Sequence, residues 1–208
     1  SEVACTIGGI VANNSSGMAC GVEQNSYRTL ESAVVVLASG TTIDTGARDA
    51  NELLRSREPL LYEGLCRLRD RVRADAASVR TVRGQFAIKN TMGYSLNAFV
   101  DFDDPVSMLA HLIVGSEGTL AFVAEVTFRT VPVLSHAATG LLVFDSLSRA
   151  AGALPALIET GPVAVELLDA ASLRVAQRDA QAGDELRRID VARHAALLVG
   201  YRAESAAA

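Results

Sequence analysis

Three segments of this sequence carry residue types and spacings that suit the binding of a phosphate-bearing ligand. The first is Thr6-Ile7-Gly8-Gly9-Ile10-Val11-Ala12-Asn13-Asn14-Ser15-Ser16-Gly17. Its glycines and asparagines tolerate positive φ and let the backbone come close to a ligand. Successive N–H groups in such a turn form an anion-binding nest that suits a pyrophosphate, and Asn13, Asn14 and Ser16 add side-chain donors. No Gly-Lys-Ser/Thr follows and no Gly-x-Gly-x-x-Gly is present, so this is neither of the common nucleotide loops. Taken alone, a Gly/Asn-rich loop more often serves structure than phosphate. The second segment, Ile88-Lys89-Asn90-Thr91-Met92-Gly93-Tyr94-Ser95-Leu96-Asn97, holds the only lysine of the chain among many arginines. A lone Lys in that background suggests a place where Arg would not serve and where a cation faces something negative; a surface turn is the plain alternative. The third is Val114-Gly115-Ser116-Glu117-Gly118-Thr119-Leu120-Ala121-Phe122-Val123. Two glycines bracket Ser116 and Glu117, and Glu117 can accept hydrogen bonds from a ribose-type hydroxyl. A helix stop followed by a strand reads the same way.

The elements around these segments follow from periodicity and punctuation. Residues 1–29 are expected to be loop with short extended pieces, given their Gly, Ala, Asn and Ser content. Val34 to Leu37 is a β-branched run predicting a buried strand, with Thr42 to Asp44 as its hairpin partner across Ser39-Gly40. Leu61, Leu65, Leu68, Val72 and Ala76 predict an amphipathic helix behind Pro59, with arginines on its solvated faces. Asp104-Pro105 opens a second helix, which Gly115 stops. Leu120 to Val131 reads as a strand ended by Pro132. Beyond Ser135 the order is a strand (Leu141 to Phe144), a helix (Ser148 to Thr160, shortened or kinked by Pro155), and a strand (Val163 to Leu168). A helix capped by Asp169 and running to about Arg178 follows, then a short helix (Asp184 to Arg193) and a strand (Ala195 to Tyr201). That order predicts a separate α+β layer, with a boundary at Val133 to His136.

Composition narrows the function classes. The chain has 208 residues, 50% hydrophobic and 21% charged, with net charge −5 and no long run of either sign. This is a globular balance that calls for no nucleic acid or anionic membrane surface. The apolar runs are too short to span a bilayer, and no signal peptide is expected from the opening residues. It starts without Met, so a piece cut from a longer protein is expected. Cys5, Cys20 and Cys66 form no C-x-x-C pair, which indicates neither zinc nor a disulfide framework; buried, reduced thiols of a cytosolic protein are expected. His111, His136 and His194 lack metal-ligand spacing and are expected to be structural or exposed, so no metal site is assigned.

Taken together, the three segments are more specific than any one. The order is Gly-Gly-x-x-Ala-Asn-Asn-x-Ser-Gly, then Tyr27 before a strand with Ser39-Gly40-Thr41. Lys-Asn-Thr-x-Gly-Tyr-x-Leu and Gly-Ser-Glu-Gly-Thr-Leu-x-Phe follow. This order resembles the FAD-linked oxidoreductases of the vanillyl-alcohol-oxidase type (PCMH-type FAD-binding). Lys89 to Val131 and Glu166 to Asp169 look most similar to the large bacterial D-lactate, glycolate and D-2-hydroxyglutarate dehydrogenases that carry an iron–sulfur module.

The resemblance implies an α+β fold. Residues 1–134 would be the second FAD-binding subdomain, an antiparallel sheet with flanking helices, and residues 135–208 the start of an α+β cap. The first subdomain would be missing. It implies FAD as cofactor, with an iron–sulfur cluster only in the full-length protein, and hydride transfer from a D-2-hydroxy acid to flavin N5. Ile7, Gly8, Gly9, Asn13, Asn14, Ser16 and Gly17 would follow the pyrophosphate and flavin. Glu117, Gly118, Thr119, Phe122 and Val123 would follow the ribityl–adenine side. Lys89 and Asn90 would be flavin- or substrate-side residues. No catalytic base falls in this chain, and the isolated chain is expected to be inactive. Ala121 departs from the Gly common at that place, where a positive φ would be unfavourable. The electron acceptor is left open, and the setting is expected to be cytoplasmic, with room for peripheral membrane association. Exposed apolar surface left by truncation is expected to make the chain self-associate. The competing reading is a non-catalytic flavin-fold scaffold subunit of a dehydrogenase complex.

Overall fold

The computed structural model describes residues 4–17 and 20–205. The chain divides into two units, Ser1–Val131 and Pro132–Ala208. Each is an antiparallel sheet with flanking helices, which is the expected α+β class.

The sheet of the first unit has the order β2-β1-β3. β1 (Leu30–Leu37) is the central strand, with Leu30, Ala33, Val35 and Leu37 buried. It forms the expected hairpin with β2 (Thr42–Asp44), Val35 standing opposite Ile43. Gly40 turns the chain at φ 86°, a conformation that favours glycine. β3 (Ala121–Phe128) pairs along the other edge of β1, and Leu30 opposite Phe128 is the last pair. The strand therefore stops short of the expected Val131, because β1 offers no partner beyond that point.

The helix expected behind Asp104 is α7 (Pro105–Ile113), and every residue of it but Ser107 is buried. A helix apolar on all sides belongs inside a core. Its Asp104 cap accepts from the Ser107 N–H at 2.8 Å and from the Asn51 amide at 3.1 Å, while Asn51 Oδ1 accepts from the Val106 N–H. Asn51 lies on α3 (Ala50–Arg57), an element the periodicity did not reveal. The amphipathic helix behind Pro59 is α4 (Pro59–Ala74). It does not reach Ala76 as one piece. Asp75 breaks it and caps a further helix, α5 (Ala76–Phe86), accepting from the Ala77 and Ser78 N–H groups at 3.1 Å.

The glycine-rich start corrects the expectation of loop. Ile7–Asn13 is a helix (α1), Ser26–Thr29 a single helical turn (α2), and Ala98–Asp101 another (α6). The cysteines correct a second expectation: Cys5 is exposed, and Cys20 and Cys66 are half-buried free thiols.

In the second unit the order is β4 (His136–Phe144), α8 (Leu147–Ile158), β5 (Ala164–Leu168), α9 (Ala170–Gln177), α10 (Asp184–Arg187) and β6 (Ala195–Ala203). The last strand inserts between the other two, and both pairings are antiparallel. Long pairing with β6 is why β4 starts at His136 and not at Leu141. Leu197 and Val199 form the core with Ala150 and Leu154 of α8. α8 runs through Pro155 and ends at Ile158. α10 ends well before Arg193, because Gln177 Nε2 donates to the Leu186 and Ile189 carbonyls at 2.8 Å and terminates the turn.

Candidate functional site

The three segments singled out by their chemistry come together in the first unit. Thr6 caps α1, its hydroxyl accepting from the Gly9 N–H at 3.1 Å. A Cβ at Gly9 would lie 3.0 Å from that hydroxyl, and one at Gly8 would lie 3.5 Å from the Val123 carbonyl. Glycine at position 9 leaves room for the Thr6 cap, while Gly8 sits in ordinary contact distance of β3. At its other end α1 stops because Asn14 turns into the left-handed region, φ 54°. Asn is among the few side chains that tolerate this.

The third segment then caps α1 from a distance in sequence. The Gly115 N–H donates to the Val11 carbonyl at 3.0 Å, and the Glu117 N–H donates to the Ala12 carbonyl at 2.8 Å. Carbonyls at a helix end need such donors. Gly115 stands at φ 86°, and a Cβ there would lie 3.4 Å from the Gly93 carbonyl, 3.5 Å from Asn14 Cβ and 3.6 Å from Ser95 Oγ. One glycine thus marks the meeting point of all three segments.

Side chains tie them further. Asn13 Nδ2 donates to Glu117 Oε1 at 2.6 Å, and Ser15 Oγ donates to Asn13 Oδ1 at 2.5 Å. Tyr94 and Thr119 share a hydroxyl hydrogen bond of 2.9 Å. Thr119 Oγ1 donates to the Ser116 carbonyl, and the buried Ser95 hydroxyl donates to the Val114 carbonyl at 2.7 Å. Lys89 Nζ donates to the Ser16 carbonyl at 3.2 Å. Glu117 holds its place at φ 53°, strained for a non-glycine residue.

The first and second segments line a cleft of about 620 Å³, with Asn13, Ser15, Ser16, Gly17, Lys89 and Thr91 among its residues. Of the expected ligand residues, Asn13, Ser16, Gly17 and Lys89 therefore face one space. Asn14 is buried behind them. Asn90 turns away: its Oδ1 accepts from the Met92 N–H and its Nδ2 donates to the Gln85 carbonyl. Ile7, Gly8 and Gly9 lie on α1, Gly118 and Thr119 in the third segment, and Phe122 and Val123 on β3, with Phe122 largely exposed. Ala121 is buried as the first residue of β3 without a positive φ, so the departure there costs nothing in backbone strain. Ser15 and Thr91 are lining residues that the sequence did not single out, since nothing in their type separates them from loop residues.

Two other parts of the motif are structural. Ser39 and Thr41 both donate to Glu58 Oε1, and those hydroxyls hold the Glu58 carboxyl below its ordinary range. Tyr27 is buried and donates to Asp101 at 2.9 Å, and burial, with Asp101 beside it, pushes its phenol well above the ordinary value. His111 lies in the same aromatic group, stacked on Phe102 at 3.9 Å, and burial lowers its pKa. His136 is exposed and His194 half-buried. Among the described residues no three His, Cys, Asp or Glu side chains stand close enough to share a metal ion. No helix of the described residues is long and apolar enough to cross a membrane.

Comparison with known proteins bears on the second unit first. Residues 133–208 match the family of FAD linked oxidases, C-terminal domain. A match to that family implies FAD as cofactor. Among solved structures, two of alkyldihydroxyacetonephosphate synthase, from different crystal forms, resemble the chain with a TM-score of 0.55 each. They are 16% and 15% identical to it. They cover 95% of this chain but only 29% and 28% of their own, so this chain spans under a third of the length of those it matches. At that identity the likeness shows the fold. No curated protein sequence matches the chain.

The cleft can be tested against FAD as an FAD-linked oxidase would require. The cofactor brings a pyrophosphate with negative charge, a polyhydroxyl chain and an apolar ring. The cleft offers one ammonium from Lys89, the Ser15 hydroxyl and the apolar Ile10. Ser16 Oγ is buried and meets no partner among the described residues. A buried hydroxyl of that kind calls for a hydrogen-bonding ligand or water. The volume lies within the range of about 300–1,000 Å³ usual for small-molecule sites. The residues fit the group.

Proposed function

We propose that this chain is part of an FAD-dependent oxidoreductase acting on a small D-2-hydroxy acid of the D-lactate, glycolate or D-2-hydroxyglutarate type. The observation that carries the reading is the junction at Gly115, where the third segment is locked against the first two, which line the cleft. The FAD linked oxidase match of residues 133–208 supports the cofactor. The resemblance of Lys89 to Val131 to the D-2-hydroxy-acid dehydrogenases supports the substrate class.

In this reading Ile7 to Gly9, Asn13, Ser16 and Gly17 hold the pyrophosphate and flavin side of FAD. Glu117, Gly118, Thr119 and the Phe122–Val123 backbone hold the ribityl–adenine side. Bound FAD would supply the hydride acceptor for oxidation at C2 of the substrate. Lys89 holds its ammonium at the cleft, where it balances negative charge on a substrate carboxylate or on the cofactor. Asn14 shapes the turn instead of touching the ligand, since its side chain is buried. The base that takes the hydroxyl proton is assigned to no residue of this chain. An iron–sulfur module and the electron acceptor belong to the full-length protein, which we place in the cytoplasm. We further propose that the chain on its own self-associates through exposed apolar residues such as Met92 and Phe122.

The test is anaerobic mixing of the purified full-length protein with D- and L-2-hydroxy acids while its flavin absorbance is followed. Bleaching by the D-acids and not by the L-acids is expected. Bleaching by neither enantiomer of any acid would exclude the substrate class.

A further inference from the structure

Behind the cleft wall lies a second, much smaller cavity of about 20 Å³, lined by Asn14, Asn25, Tyr27, Arg28, Ser95 and Asn97 among others. Asn14 and Asn97 are 4% and 5% exposed, so both are more than nine-tenths buried. Among the described residues neither Asn14 Oδ1 nor Asn97 Oδ1 meets a hydrogen-bond donor. A buried carbonyl oxygen left without a donor keeps its desolvation cost with nothing to offset it. Two such oxygens, on residues that line one small cavity, point to something that satisfies both.

The orientation of Asn97 is set by its other end. Its Nδ2 donates to Asp101 Oδ2 at 3.2 Å, and that carboxylate also accepts from the Tyr27 hydroxyl at 2.9 Å. Flipping the amide would set Oδ1 against the carboxylate, two acceptors facing each other. Asn97 Oδ1 must therefore face away from Asp101. Asn14 is placed by its backbone, as the left-handed cap of α1 packed beneath Gly115.

The chemistry of the occupant follows. Two carbonyl oxygens repel an anion and require a donor. Arg28, paired with Asp101 at 3.5 Å, lines the same cavity and opposes a cation. The volume admits one water by the usual requirement of about 10–15 Å³ and leaves no room for a larger ligand. We infer that this cavity is a built site for a single water molecule that donates to Asn14 Oδ1 and Asn97 Oδ1. The water completes a hydrogen-bonded line from Asn14 through Asn97 and Asp101 to Tyr27. It braces the turn from which Asn13, Ser15 and Ser16 reach the cleft, whatever the cleft binds.

The experiment is a crystal structure of the chain at a resolution that places ordered water. One peak is expected within hydrogen-bond distance, about 2.7–3.2 Å, of both oxygens. An empty cavity, a protein donor meeting either oxygen, or an ion with a cation's short multiple contacts would each overturn the inference. In solution, oxygen-17 relaxation dispersion counts long-lived internal waters. Asn97→Leu, checked for native near-UV circular dichroism, is expected to hold one fewer than the wild type; an equal count in the folded variant would overturn the inference. Should that variant fail to fold, the wild-type crystal structure still decides.

Discussion

Asn13 and Glu117, 104 positions apart, share a 2.6 Å hydrogen bond that joins the end of α1 to the loop before β3. Glu117 makes that bond from a left-handed backbone, φ 53°. The two features predict an unusual order of stabilities. Glu117→Gly loses the bond but relieves the backbone. Glu117→Ala loses the bond and keeps the strain. The Ala variant is expected to be the less stable of the two by about 1 kcal/mol. Glu117→Ala and Asn13→Ala together should cost less than their sum, by about 0.5–1.5 kcal/mol. Urea unfolding of the wild type and the four variants checks this; a Gly variant less stable than the Ala variant would refute the reading of Glu117 as a strained clamp.

Gly115→Ala places a methyl group at a φ of 86° where three segments meet. A loss of about 1–2 kcal/mol is expected from the backbone alone. The Gly115 and Glu117 N–H groups should also exchange faster in the variant, because they are the donors that cap α1. Hydrogen exchange at those two amides measures the effect directly, and unchanged rates would mean that the junction is not organised about Gly115.

Arg73 closes the end of α6. Its Nε donates to the Phe99 carbonyl at 2.8 Å, one NH2 bond reaches the Phe102 carbonyl at 2.6 Å, and NH1 reaches Asp103. The carbonyl bonds depend on the planar fork of the guanidinium. Arg73→Ala is expected to cost about 2 kcal/mol, and Arg73→Lys to recover less than half of that. Asp103 is 90% exposed, so Asp103→Ala should cost under about 0.5 kcal/mol. Equal losses for Arg73→Ala and Asp103→Ala in thermal unfolding would show that the ion pair, not the capping, holds this corner.

Burial lowers the pKa of His111 from 6.5. The unfolded chain therefore takes up a proton before the folded chain does. Stability from the neutral imidazole is complete above pH 6.5 and is lost as pH falls from there through the lower folded value. Tyr27 acts at the other end: its raised phenol keeps stability intact up to about pH 10 and loses it above. His111→Phe, which keeps an aromatic ring against Phe102, should flatten the acid side of this profile. Chemical denaturation between about pH 5 and pH 8 compares the two proteins; parallel curves would contradict the assignment.

Some of this was legible in the sequence and some was not, for physical reasons. β1, β2 and α7 could be read because a β-branched run, a Ser-Gly turn and an Asp-Pro start are local signals. α1 could not. Its Gly and Asn content disfavours a helix, and its C-terminal carbonyls are capped by N–H groups a hundred residues later in the chain. α5 was hidden because Asp75 looks like a solvated charge until its cap on Ala77 and Ser78 is seen. The three chemical segments were legible one by one. Their convergence was not, because it rests on tertiary contacts at Gly115. Asn90 was the residue type the motif called for, yet its amide is used up within its own turn.

The most direct test of the account is an FAD titration of the full-length protein beside its Lys89→Met and Asn13→Leu variants, with this chain alone as a fourth sample. Near-stoichiometric FAD in the wild type is expected, with each variant weakened about tenfold, or 1.4 kcal/mol, and this chain alone weaker still. A full-length protein that binds no FAD, or variants that bind it as the wild type does, would contradict the claim that these three segments form a flavin site.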